Sequence, residues 1–358
     1  MEPAVEQLGS LPRSCVDNPS NPWNSDDVMP DAPAPVLLTG ATGFVGRHVA
    51  VALQAAGFEV RAASRDPQAS RRHSPELDWV RCDLTEPAQV RQALEGTRAA
   101  IYLYHGLGSG PAYDRREASC ASTFRQMAEA AGVERIAYLG GIRPHGPASR
   151  HLSSRLETGR ILRDGRIPTV ELRAAMVIGH SSQSFALVRD IAFRLPMVAL
   201  PPWLDRRSCP VSITDVAAAL ALALRVPLEH SAWFELPGPD CLSHRELVDR
   251  LCSAVGARLL EPRLPLTPRL ASTLLAAISR VRGAVTRELV EGLMHDLLPE
   301  GPSFWSLFGT PTLRSVPEAI ADALADELSP VSPSVESRRR IWATTRSWLG
   351  ALEAGHGF

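Results

Sequence analysis

The sequence predicts an α/β fold, a doubly wound parallel sheet followed by a smaller helix-rich region. Three observations predict it. Short apolar runs alternate with helical stretches from residue 36 to residue 173, the pattern that builds βαβ units. Three glycines fall in seven positions, Gly40-Ala41-Thr42-Gly43-Phe44-Val45-Gly46, between the first strand-like run and the first helical one. The chain is 358 residues long, 45% hydrophobic and 22% charged, which suffices for a sizeable core.

The elements follow in order. Val36–Thr39 reads as a buried strand that feeds a helix over 44–56, closed by Gly57. Further strands fall at 58–63, 77–81, 99–104, 135–139 and 169–173. Helices at 87–94, 118–131 and 153–162 separate them, with Gly132 and Gly165 ending the last two. Beyond about residue 180 the alternation weakens. Residues 184–204 read as a helix running into a Pro-rich segment, 212–226 as a strongly apolar helix and 232–236 as a strand. Ser243, with Glu246 three residues on, makes a capping box that opens 243–256. More helices are expected near 268–281, 284–298 and 316–327, and a short one over 341–352. The expected division is a disordered tail at 1–34 and a dinucleotide-binding domain at 35–180, to which 210–236 returns. A substrate-binding region takes 181–209 and 237–328, and 329–358 is a C-terminal tail or short helix.

Charge and composition exclude several classes. The net charge is −1, so no global field favours nucleic acid. Short arginine groups such as Arg71-Arg72 and Arg338-Arg339-Arg340 read as solvated surface. The most apolar stretch, Leu270–Ile278, is too short to span a membrane. Residues 1–34 are acidic and rich in Pro, Asn, Ser and Asp, unlike a signal peptide. The six cysteines form no C-x-x-C pair and suggest neither a disulfide framework nor a metal site. Reduced cysteines in a cytoplasmic protein are the expectation. The oligomeric state is left open.

The glycine stretch carries the chemistry. Gly40 can supply a tight turn at the strand end, Gly43 a bare backbone where a pyrophosphate approaches, and Gly46 close helix packing. Amide groups at the helix start then favour phosphate charge. Together they predict a Rossmann-type domain that binds a nicotinamide dinucleotide. At the end of the second strand, Ser64-Arg65 stands where NAD binders commonly carry an acid, with Asp66 just after. Arg65 is the candidate for the 2′-phosphate of NADPH. Asp66 could serve a ribose instead, so NADH is an alternative.

With these residues in view, the chain resembles the extended and atypical short-chain dehydrogenases/reductases. It is closest to the branch that includes NmrA-like proteins and relatives of the nucleotide-binding accessory subunit of respiratory complex I. The resemblance runs over about 36–328, through the glycine motif, "RCDL" (81–84), "VERIAYLGG" (133–141), "ELRAAMVIG" (171–179) and "VSITDVAAAL" (211–220). It implies that Thr42, Phe44 and Val45 lie with the glycines against the cofactor, and that Asp83 and Leu84 lie at the adenine.

The resemblance also exposes a departure. The family's chemistry uses a Tyr, a Lys four residues later and a Ser at the end of strand 5. Here His151 and Arg155 stand for the first two, and Gly140-Gly141 fills the Ser site. An imidazolium near its ordinary pKa could supply the proton, and Arg155 a fixed charge. Tyr104 and His105, ending the fourth strand, are alternative donors at the edge where a parallel sheet binds its ligand. Tyr104 is also a candidate cofactor contact. Met176, Phe185, Phe193, Met197 and Trp203 would give an apolar lining for a small hydrophobic substrate. The expected activity is NAD(P)H-dependent reduction of a carbonyl, quinone-like or heteroaromatic compound. The alternatives are a non-catalytic NADP(H) sensor or assembly factor, and an isomerase or dehydratase that keeps its cofactor bound.

Overall fold

The computed structural model describes residues 35–194, 202–256, 283–309 and 311–353. The expected tail at 1–34, the helix near 268–281 and Met197 lie outside them. Six strands come first: β1 (Val36–Leu38), β2 (Val60–Ser64), β3 (Asp78–Arg81), β4 (Ala99–Tyr102), β5 (Arg135–Gly141) and β6 (Thr169–Ala174). Short strands follow at β7 (Val177–Ile178), β8 (Arg207–Ser208) and β9 (Val211–Ser212), then β10 (Ala232–Glu235) and β11 (Leu242–Ser243). The main sheet has seven strands in the order β10-β6-β5-β4-β1-β2-β3, paired in parallel throughout. The strand order reverses between β1 and β4, which opens a crevice at their C-terminal ends. The fold is the expected Rossmann-type α/β sheet.

Period-two alternation divides the sheet between two cores. Leu38, Ile101, Leu139 and Leu172 pack on one face with α1 (Phe44–Ala55), the apolar α7 (Ile213–Ala223) and α11 (Val335–Glu353). Leu37, Ala100, Tyr102 and Tyr138 pack on the other with α3 (Pro87–Leu94), α4 (Tyr113–Ala130) and α5 (Arg150–Arg163). A third core joins α6 (Gln183–Arg194), α8 (His244–Ala254), α9 (Gly283–Gly292) and α10 (Val316–Glu327) through Leu187, Val188, Leu247, Leu251, Val290 and Ile320.

Local chemistry explains where boundaries shift. α2 (Pro67–His73) was not expected; Asp66 caps it by accepting from the Ala69 amide at 3.0 Å, and Pro67 opens it. α5 starts at Arg150 because Ser149 caps it, and α4 reaches back to a buried Tyr113. The capping box at Ser243 and Glu246 is present, and Ser315 with Glu318 makes a second one at α10. The C-terminal segment expected as a tail or short helix forms the 19-residue α11. Ile341, Trp348, Leu349 and Leu352 bury its inner face against the main core.

The cysteine expectation needs correction. Cys209 and Cys241 are disulfide-bonded, with Cα atoms 4.0 Å apart. Antiparallel pairing of β8 with β11 sets Ser208 opposite Leu242 and brings the neighbouring cysteines together. A separation of 32 residues gives no such signal in the sequence. Cys82, Cys120 and Cys252 are free and buried. No described helix is long and apolar enough to cross a membrane. Among the described residues one bond leaves three thiols. Thiol titration of the unfolded protein should therefore count at least two more thiols after reduction than before it, and equal counts would remove the bond.

Candidate functional site

The turn from β1 into α1 is built of backbone. Gly40 has φ +65°, and a Cβ there would sit 2.8 Å from the Leu103 carbonyl oxygen. Gly43 is the N-cap of α1, and no side chain caps the amides of the first turn, which leaves them open to an anion. A Cβ on Gly46 would lie 2.2 Å from the Gly40 carbonyl oxygen. Gly46 thus packs the helix against the turn itself.

A cavity of about 450 Å³ opens from this turn. Phe44, Val45, Gly46 and Arg47 of α1 line one side, and Leu103 and His105 follow β4 into it. His151, Leu152 and Arg155 enter from α5 beside Gly140 and Gly141. The C-terminal half adds Met176, Ser208, His244, Glu288, Leu293 and Leu297. The cavity therefore joins the glycine turn to the α5 segment that carries His151 and Arg155.

Two buried carboxylates fix α5. Glu117 of α4 is 1% exposed. One oxygen accepts from the Gly106 amide and the other from the Ser154 hydroxyl. The carboxylate therefore ties the loop carrying His105 to the helix carrying His151. Glu171 of β6 accepts from Arg163 Nε at 2.7 Å and from Arg173 Nε at 3.0 Å. Gly159 makes room for it, since a Cβ there would meet Glu171 Oε1 at 2.3 Å.

Arg155 donates to the Leu139 carbonyl, and its guanidinium lies 5.0 Å from the centre of the Tyr138 ring. A side chain at Gly141 would point at Leu152 and Arg155, so α5 occupies the space of the missing Ser. The histidines differ from expectation. Burial, then Arg155 and His105, lower the His151 pKa to about 3. His105 lines the cavity and is exposed as a residue, and desolvation of its ring, then Arg155, lowers its pKa to about 4. Both rings are neutral at pH 7, so the imidazolium expected at His151 is replaced by a neutral ring. His151 Nδ1 is buried without a partner.

Other expected residues fall elsewhere. Strand alternation turns Tyr104 away from the cavity, onto α4 beside Cys120. Its pKa rises with burial, and as a proton donor it is misplaced. Phe185 and Trp203 are 3% and 4% exposed in the third core, and Phe193 is exposed on the outer side of α6. Of the described aromatic and sulfur candidates only Met176 lines the cavity. Thr42 is exposed on the turn, and Leu84 is buried against the sheet.

At the other end of the crevice, Arg65 is exposed and makes no hydrogen bond or ion pair with the described residues. Asp66 is engaged as the cap of α2. Ser64 shares a 2.7 Å hydrogen bond with Ser70. Asp83 is held below the usual carboxylate range, chiefly by the Thr85 amide, which donates to its Oδ1 at 3.0 Å. Sequence reasoning missed Arg47, although it directly follows the motif. Its Nε is buried without a partner, and burial lowers its pKa. It also missed Glu288, Leu293 and Leu297, which no motif marks.

Residues 40–190 match a family model described as NAD(P)H-binding. This stretch is similar to NAD(P)H-binding domains. The chain is 25% identical over 232 residues to (4-alkanoyl-5-oxo-2,5-dihydrofuran-3-yl)methyl phosphate reductase of Streptomyces griseus, covering 63% of this chain and 75% of that protein. Among solved structures, triphenylmethane reductase of Citrobacter sp., complexed with NADP(H), aligns with a TM-score of 0.66 at 19% identity over 81% of this chain and 99% of the other. NADPH-dependent quinone oxidoreductase QOR2 of Escherichia coli aligns with a TM-score of 0.64 at 19% identity, over 81% and 99%. The structural likenesses are of fold, and they extend beyond residues 40–190.

The glycine contact gives a test. Gly46→Ala should weaken NADPH binding at least tenfold and lower the melting temperature, because overpacking costs about 1–3 kcal/mol. Cofactor titration by fluorescence and thermal melting check both. Unchanged binding would contradict the packing of the turn.

Proposed function

We propose that this protein is an NADPH-dependent reductase of a small hydrophobic carbonyl or quinone-like compound. The observation that carries the reading is the shared cavity. The bare backbone of the glycine turn, Arg155 and two neutral histidines line one mainly apolar space. The reductases among the similar proteins support the same class.

The residues fit the cofactor. The uncapped amides of α1 and the charge of Arg47 suit a pyrophosphate. The free guanidinium of Arg65, with Asp66 engaged elsewhere, favours the 2′-phosphate of NADPH over the NADH ribose. When bound, the cofactor supplies a hydride. The protein's part is to hold the substrate oxygen as it gains negative charge. Arg155, fixed on the Leu139 carbonyl, supplies positive charge. His151 and His105 supply N–H donors, and the balancing proton comes from water entering the cleft.

Two experiments test this. Arg65→Ala should weaken NADPH binding ten- to a hundredfold, as expected for a charge-assisted contact of about 1.5–3 kcal/mol, and leave NADH binding unchanged. Equal loss for both cofactors would reassign Arg65. Assays of NADPH oxidation with quinones and aryl ketones should show turnover, and His151→Phe should lower kcat. Because both histidines are neutral above about pH 4, kcat/KM should stay flat between pH 6 and 8. An imidazolium acid of ordinary pKa would instead lose about tenfold per pH unit above 6.5. Tight cofactor binding with no turnover on any such substrate would leave a sensor in place of an enzyme.

A further inference from the structure

Besides Arg47 Nε and His151 Nδ1, two further polar atoms of the cavity lining have no partner among the described residues. Ser208 of β8 is 1% exposed and its hydroxyl is unpaired. His244, the first residue of α8, is 0% exposed, and its Nε2 is likewise unpaired. Both line the same cavity as His151 and Arg155. Native interiors pair nearly all such atoms, so two in one wall require an explanation.

The fold brings them to this wall together. Pairing of β8 with β11 sets Ser208 opposite Leu242 and Arg207 opposite Ser243, and β11 runs directly into α8. The Cys209–Cys241 bond ties the same two segments beside them. The His244 ring packs edge-on to Trp203, with ring centres 6.5 Å apart.

The protonation pattern follows from the contacts. His244 Nδ1 lies 3.4 Å from the Trp203 carbonyl oxygen, which can only accept. Nδ1 therefore carries the hydrogen. Desolvation lowers the ring's pKa to about 4, so Nε2 is a bare acceptor at neutral pH. The Ser208 hydroxyl can rotate to donate. Of the neighbouring lining residues, Met176, Leu293 and Leu297 are apolar, and the Glu288 carboxylate accepts from the Tyr113 hydroxyl at 3.1 Å.

We propose that Ser208 and His244 form a polar subsite for a hydroxyl carried by an otherwise hydrophobic substrate. The ligand hydroxyl donates to His244 Nε2 and accepts from the Ser208 hydroxyl. The reductase reading is deepened by this, and it enters only through the ligand's place in the cavity. A site built to hydrogen-bond a hydroxyl discriminates against the analogue lacking it, because its own polar atoms are then left unpaired.

A matched pair of ketones tests the subsite: 4-(4-hydroxyphenyl)butan-2-one and 4-phenylbutan-2-one. Calorimetric titration into the full chain saturated with NADP⁺ reads binding without turnover. The hydroxylated ketone should bind about tenfold more tightly to the wild type, a modest value for one satisfied polar site. His244→Leu and, as the milder change, Ser208→Ala should each bring the two ketones to within about twofold, while 4-phenylbutan-2-one binds as well or better. Equal binding of the pair to the wild type, a preference that survives both substitutions, or no binding of either ketone at millimolar concentration would overturn the proposal. NADPH oxidation is measured separately. Selective binding without oxidation would sink the reductase reading and leave the subsite standing.

Discussion

The contact between Gly46 and the Gly40 carbonyl sets the geometry on which the rest of the site depends. A Cβ at Gly46 would fall 2.2 Å from that oxygen, so only glycine lets α1 start this close to β1. The close start puts the uncapped helix amides at the C-terminal edge of the sheet, where the strand order reverses. The open helix amides and the crevice therefore come from one local constraint on the backbone. The apolar packing of α1, α7 and α11 holds that constraint from behind.

The chemical wall is held differently. α5 presents His151 and Arg155, and two carboxylates buried on either side anchor it. Glu117 reaches α5 and the β4 loop at once, and Glu171 gathers Arg163 and Arg173 beneath Gly159. Removing one partner from such a group leaves a charge buried without compensation, which costs far more than an exposed pair contributes. The electrostatics of the site follow from this enclosure. Desolvation keeps the histidines neutral, and Arg155 holds the fixed positive charge.

Much of the fold was legible in the sequence because periodicity and glycine placement are local signals. The strands and most helices, the Ser243 capping box and the glycine turn all rest on neighbours within a few residues. The place of Arg65 was also legible, since it lies next to the strand that positions it. The substrate end was not. Phe185 and Trp203 look like pocket residues by composition, but helix orientation turns them into the third core. Tyr104 and His105 are adjacent in the chain, but only His105 lines the cavity. The disulfide and the cluster of Ser208 with His244 arise from the pairing of β8 with β11 across more than thirty residues.

By itself the sequence determined the sheet and the glycine turn, because backbone conformation there is dictated by residues a few positions apart. Tertiary structure alone decided which side chains share the cavity and in which protonation state. Both depend on burial and on partners distant in the chain. The His151-Leu152-Ser153-Ser154-Arg155 segment shows the division. Its departure from Tyr and Lys is plain in the sequence, but only its packing against Glu117, Leu139 and His105 makes its imidazole neutral and its arginine fixed.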